Sequence, residues 1–466
     1  MQGSKLLDLL AILNRVELED LRNHIHYQNR SENKSVLLLD YIFQFKEDFT
    51  KPALEKSVAY SEVFKGKKYN DTSMRRCMSR LFDLCENYIA GSEVLRDEKR
   101  QQIALMAFYR ERNLAKHYKG VLRNWQHSQA QPHSVDLVFF YNEFLVEREI
   151  SKNIFQKQDR AAEPNLQQIS QSLDNFYLMH KLKICCSSIN YQLLSNTQYE
   201  LPLMDELVAY LKKNEAKQPP IVCAYFYALL TLVESDNEMH FRKLSTLLFA
   251  NTQTFHPDEQ GDLFVLSQNY CIKRINKGDE KYLHELLELY KTGLDKGLLL
   301  KKGFLSPLDY KNIVTLGTRL QFFEWTENFI KTYSKHLNQT IRDSYYHYNL
   351  ARLYFGKKDF DQVLSLLNRV DHQEVFVMLD VKVMMMKTYY ELEEIEPLLS
   401  LVESFRILLS RKKSLGYHKM RYQNFLKFLR QMIRLDFNNK TEKANFKTEV
   451  EQTRQIMERD WFLEKV

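Results

Sequence analysis

Apolar residues return every three or four positions along most of this chain, which is the spacing of amphipathic helices. Leu6, Leu9, Leu10, Leu13 and Leu18 predict a helix over residues 6–21. Further helices are predicted over 36–49, from Pro52, and over 72–88, where Met74, Met78, Leu81, Phe82, Cys85 and Tyr88 form one stripe. Residues 91–100 are polar, open on a glycine, and are expected to be a hinge. Long helical patterns then cover 101–124, 135–157 and 166–194, separated by two proline-containing loops at 127–134 and 158–165. From Leu203 onward the segments shorten. One begins after Pro219-Pro220, and others cover 239–248, 261–276 and 281–294, with Pro257 and Ser306-Pro307 as helix starts.

Within this helical pattern the chain repeats itself. YNLARLYFGKKDFDQVLSLL (348–367) aligns with VMMMKTYYELEEIEPLLSLV (383–402) at a shift of 35, and a looser copy precedes it at 316–330. A period near 34 with two helices per unit resembles tetratricopeptide stacking. The expected fold is therefore all-α: an α-solenoid of antiparallel helical hairpins with a small N-terminal helical domain. The expected parts are an N-terminal helical domain (1–90), an irregular helical-hairpin stretch (91–300), tetratricopeptide-like repeats (301–410) and basic capping helices (411–466).

Composition sharpens this picture in three places. Only 12 glycines and 9 prolines in 466 residues disfavour a turn-rich β architecture. The 27 tyrosines and 29 phenylalanines are many, and in a thin two-layer helix stack they are expected to fill the gaps between helices. The six cysteines form no C-x-x-C pair, so a reduced, cytoplasmic setting is expected. The opening helix carries Asp8 and no cleavage site, and the longest apolar run, 221–233, is too short to span a bilayer. No membrane insertion is expected.

The sequence offers no catalytic signature. No phosphate-binding glycine loop and no G-x-S-x-G is present. His284–Glu288 reads HELLE, with glutamate where a zincin needs its second histidine. Neither a cofactor nor a metal is expected, and the chain is read as non-enzymatic. The best-motivated surface comes from the tetratricopeptide pattern that the repeat resembles, in which the first helix of each unit faces a concave groove. Tyr345, Tyr348, Arg352 and Phe355 fall there in one unit, and Lys387 takes the place of Arg352 in the next. Two cations beside aromatic rings suit the carboxylates of a peptide. Val363, and Leu398 after Pro397, stand where that pattern has a small residue, which predicts a wider helix pair.

The expected function is that of a scaffold or adaptor binding a protein or peptide partner through this groove. The alternative is a nucleic-acid- or ribosome-associated regulator. It would use Arg75, Arg76 and Arg80 together with the basic segment 405–434, whose helical face carries Lys419, Lys427, Arg430 and Arg434. Residues 1–90 weigh against it, with 14 basic and 13 acidic side chains, which is little positive charge for gripping phosphates. Nothing in the sequence fixes an oligomeric state.

The runs LLDLLAILNRVELEDLRNHI, YNDTSMRRCMSRLFDLCENYI, FEWTENFI and YQNFLKFLRQMIRL, with the second repeat copy, resemble a helical-repeat, tetratricopeptide-like family of unknown function common in Bacteroidota. The resemblance implies a bacterial cytoplasmic repeat protein and no particular chemistry.

Overall fold

The computed structural model describes every residue except 30–32, 131–133, 158–162, 195–196, 372–374, 412–417 and 454. The described chain is all-α, 78% helical, with one two-stranded hairpin, β1 (Leu300–Lys301) and β2 (Phe304–Leu305). It divides into two compact units, Met1–Lys183 and Ile184–Val466. No described helix is long and apolar enough to cross a membrane.

The first unit begins with α1 (Lys5–Ile12), α2 (Arg15–Gln28), α3 (Lys34–Phe43), α4 (Lys56–Val63) and α5 (Asp71–Arg96). Residues 6–21, expected as one helix, are two. Asn14 breaks them by capping α2 reciprocally with Glu17: its side chain accepts from Val16 and Glu17, and the Glu17 carboxylate accepts from Asn14 N–H. The apolar stripe of α5 (Met74, Cys77, Met78, Leu81, Cys85) is buried against α1–α4 in one cluster. The expected hinge at 91–100 is instead mostly helix, because α5 runs to Arg96 and Asp97 caps α6 (Glu98–Glu111) at once. Polar residues and a glycine are as compatible with an exposed helix as with a linker. Next come α7 (Ala115–Ala130), α8 (Leu137–Gln156) and α9 (Leu166–Leu194), and the division between units falls inside α9.

The second unit continues with α10 (Met204–Asn214), α11 (Pro220–Val233), α12 (Glu238–Ala250), α13 (Pro257–Asn276) and α14 (Lys281–Asp295). Then follow α15 (Pro307–Arg319), α16 (Phe323–Tyr333), α17 (Gln339–Gly356), α18 (Phe360–Leu367), α19 (Val375–Glu391) and α20 (Ile395–Arg411). The chain closes with α21 (His418–Arg434), α22 (Lys440–Gln452) and α23 (Arg459–Glu464). From α11 to α21 consecutive helices pack on one another, and α15, α17 and α19 also lie side by side. The helix pair α17–α18 packs through Ala351 and Val363, both fully buried. All the largest fully buried side chains are Tyr or Phe, among them Tyr225, Tyr282, Tyr310 and Phe405, as expected of aromatic filler between helices. Tyr310 also satisfies its hydroxyl, which donates to Ile330 O at 2.9 Å.

The turn inside each helix pair recurs in detail. α15, α17 and α19 all end on a left-handed residue, Gln321 (φ 60°), Lys358 (φ 62°) and Glu393 (φ 59°), and the 35-residue shift carries Lys358 onto Glu393. In each, a six-to-one bond closes the helix: Phe322 N–H to Gly317 O, Asp359 N–H to Tyr354 O, and Glu394 N–H to Tyr389 O, at 2.9–3.0 Å. This is the Schellman end, which glycine occupies at least cost. Lys358→Gly is therefore expected to raise unfolding stability by about 0.5–1 kcal/mol, part of the left-handed cost being cancelled by the added freedom of the unfolded chain. The shift of the urea midpoint measures it.

Gly317 has a different task. A Cβ there would stand 2.1 Å from Thr326 Oγ1, so its absence is what lets α15 and α16 close. Gly317→Ala is expected to cost about 1–3 kcal/mol by overpacking. Adding Thr326→Ala should return most of that loss in the double variant, read by urea denaturation.

Candidate functional site

The neighbouring helices α15, α17 and α19 each end on a turn just described, and their polar side chains meet in one cleft of about 1520 Å³. Its wall on the other side is the C-terminal stretch Gln455–Trp461, which leads into α23. Lys311 comes from α15, Tyr348, Arg352 and Phe355 from α17, and Asp380 and Lys387 from α19.

These groups form two neighbouring, largely buried polar sets. Lys311 pairs with Asp380, whose other carboxylate oxygen accepts from the Tyr422 hydroxyl at 2.9 Å. Arg352 donates to Tyr348 Oη at 3.1 Å and to Thr315 Oγ1 at 3.3 Å. Glu458 then bridges α17 and α19: Lys387 Nζ lies 2.6 Å from its Oε2, and Arg352 Nη2 lies 3.7 Å from its Oε1. Lys387 is only 7% exposed and is sandwiched between rings, 4.3 Å from the Phe355 centroid and 5.3 Å from that of Trp461. Trp461 in turn donates its Nε1–H to Glu391 at 2.6 Å, and Lys465 pairs with the same carboxylate.

The titration of these groups follows from burial and neighbours. Burial alone would raise the Glu458 carboxyl, but the charges of Lys387 and Arg352 outweigh it and hold it down at about 2. Burial pushes the Lys387 ammonium below its usual range, and Glu458 offsets this only in part. For Lys311 burial also works against the charge, yet Tyr348 and Asp380 prevail and raise it. The Tyr422 phenol is raised by burial and by Asp380. Buried ionic groups of this kind are stabilised only as a set.

Of the groove residues named from the repeat, Tyr348, Arg352, Phe355 and Lys387 are together on this cleft, whereas Tyr345 packs into the cluster formed by α17–α19. The two cations do hold a carboxylate, and it is the chain's own. Lys311, Asp380, Tyr422, Glu458 and Trp461 are the site residues that sequence reasoning missed. Asp380 carried a usable signal, since the 35-residue shift places it opposite Tyr345 in the run VFVMLDVKVMMM, which is apolar apart from Asp380 and Lys382.

The basic face of α21 is partly compensated. Lys427 pairs with Glu449 of α22 at 2.6 Å and Arg430 with Glu403 of α20 at 3.1 Å. Arg434 is exposed at the end of α21, and Lys419 is half-buried near its start. Near the other candidate basic patch, Arg75 pairs with Asp71 one turn earlier, at 2.6 Å. All six cysteines are buried, and burial pushes the thiols of Cys85 and Cys271 up to about 12, which leaves little thiolate for nucleophilic chemistry.

No family model, curated protein or solved structure matches this chain.

Proposed function

We propose that the chain is a non-enzymatic binding module, an α-solenoid of tetratricopeptide-like hairpins, that takes up an acidic segment of a protein partner in the cleft of α15, α17 and α19. The observation that carries this reading is the charge of the lining. Among the described residues it includes the cations Lys311, Arg319, Arg352, Lys387, Arg421 and Arg459 against the four acids Glu280, Asp380, Glu458 and Asp460. An anionic occupant completes that balance. Size favours a peptide over a metabolite, because about 1520 Å³ exceeds the roughly 300–1,000 Å³ usual for small-molecule sites. Successive cations on successive inner helices also suit a ligand that is itself extended along the repeats.

The test uses defined peptides. Labelled, capped hexaglutamate is expected to bind the full chain with an affinity that falls as salt rises, while capped hexalysine and a neutral Gly/Ser peptide do not bind. Arg421 lines the cleft and has no ion pair among the described residues, so Arg421→Glu is expected to weaken hexaglutamate about tenfold without unfolding the protein. Binding that is equal for all three peptides, or unmoved by Arg421→Glu, would remove the cleft as the site. Tighter binding of a single-stranded RNA than of hexaglutamate would favour the nucleic-acid alternative.

A further inference from the structure

Two of the four carboxylates lining the cleft, those of Glu458 and Asp460, belong to residues 455–460, and we propose that this stretch is an autoinhibitory latch. Glu458 and Asp460 hold the positions that an acidic partner needs, and the partner binds by exchanging its own carboxylates for theirs. This rests on the acidic-partner reading above and adds to it how the site is regulated.

Three observations support the latch. Glu458 bridges Lys387 and Arg352, the equivalent cations of adjacent repeats, which is the arrangement the repeat suggests for a foreign peptide. Asp460 extends the mimicry to Arg319 on α15, at 3.0 Å and on the exposed side of the cleft. The backbone is also suited to movement. Residues 455–457 lie between α22 and α23 outside either helix, tied to α21 by Asn424, which donates to Gln455 O at 2.6 Å, and Glu458, the N-cap of α23, sits at φ 56°, a left-handed conformation costly for a residue with a Cβ.

The flanks decide how far the stretch can travel. Phe446 and Val450 before it, and Trp461 and Phe462 after it, are buried in the cluster around α20–α22. The latch is thus anchored at both ends, and opening means a local shift of the segment between them, with Ile456 as its buried apolar cost. Leaving Lys387 and Arg352 without a counter-charge would be prohibitive, so opening without a ligand is rare. A partner carboxylate removes that penalty, because the cations pass from one anion to another and are never bare.

The test compares wild type with Glu458→Gln and Asp460→Asn, using labelled hexaglutamate and circular dichroism to verify folding. Glu458→Gln is expected to bind about 100-fold more tightly, since the peptide restores the missing counter-charge, and Asp460→Asn a few-fold more tightly. Should Glu458→Gln fail to fold, hydrogen exchange on the wild type decides. Hexaglutamate is expected to speed exchange at 455–460 and leave Trp461 and Phe462 protected. Equal binding by folded variants and wild type, or unchanged exchange at 455–460, would overturn the latch while leaving the cleft as a site. Weaker binding by Glu458→Gln would overturn it too, by making Glu458 part of the binding surface. Absence of binding in every form would overturn both proposals.

Discussion

Replacing Glu458 by glutamine is expected to cost the second unit about 3–5 kcal/mol of stability, more than any exposed ion pair in the chain can contribute. The carboxylate is the shared counter-ion of Lys387 and Arg352, with Lys387 almost wholly buried. Glutamine keeps the shape and a hydrogen-bond acceptor but removes the charge, so one buried and one part-buried cation are left without an anion between them. Lys387, already lowered by burial, would release its proton more readily still, which softens the loss without cancelling it.

The same residue sets an acid limb. The Glu458 carboxyl titrates at about 2 in the folded chain against 4.5 in the unfolded one. Its contribution is therefore fully present above about pH 4.5 and is lost as the pH falls from there through about 2. Urea midpoints between pH 7 and 2 are expected to fall over that window in wild type and to fall less in Glu458→Gln. An identical acid limb in both proteins would show that other carboxylates dominate it.

How much of this was legible in the sequence follows from where each interaction is encoded. Helices were legible because three- and four-residue spacing is local, and 166–194 was predicted with the bounds that α9 has. The breaks inside 6–21 and 101–124 were not, because they depend on one capping or left-handed residue, Asn14 or Asn113 (φ 57°), within an unbroken apolar rhythm. The kinship of Arg352 and Lys387 could be read from internal repetition, which compares the chain with itself. Their counter-ion could not. Glu458 stands 71 residues beyond Lys387, outside the repeat, and nothing in a run of helix-forming residues says which acid of the tail returns to the cleft. The partial compensation of charge over 405–434 was illegible for the same reason, since Glu403 and Glu449 come from neighbouring helices and meet Arg430 and Lys427 only after folding.

Phe462→Ala is expected to cost about 3–5 kcal/mol as well, by a separate mechanism. The ring is fully buried and lies against Phe425, Phe428 and Phe446, with centroids 5.4, 6.0 and 6.3 Å away, so alanine leaves a cavity that three rigid rings on two helices cannot close. Urea denaturation measures the loss. Combining it with Glu458→Gln then distinguishes a latch from a rigid wall. If residues 455–462 move as one body, either change frees the whole segment, and the double variant is little worse than the singles. If Glu458 lies on a stretch that shifts while Trp461 and Phe462 stay docked, the two losses add to within about 0.5 kcal/mol, because the ring loses its packing whether or not the carboxylate is in place. Additivity is the expected result, since the side-chain contacts of Glu458 are ionic and lie on α17 and α19, whereas the three rings against Phe462 belong to α21 and α22, and the one bond between the two residues, Phe462 N–H to Glu458 O at 3.2 Å, is between backbones that neither substitution alters.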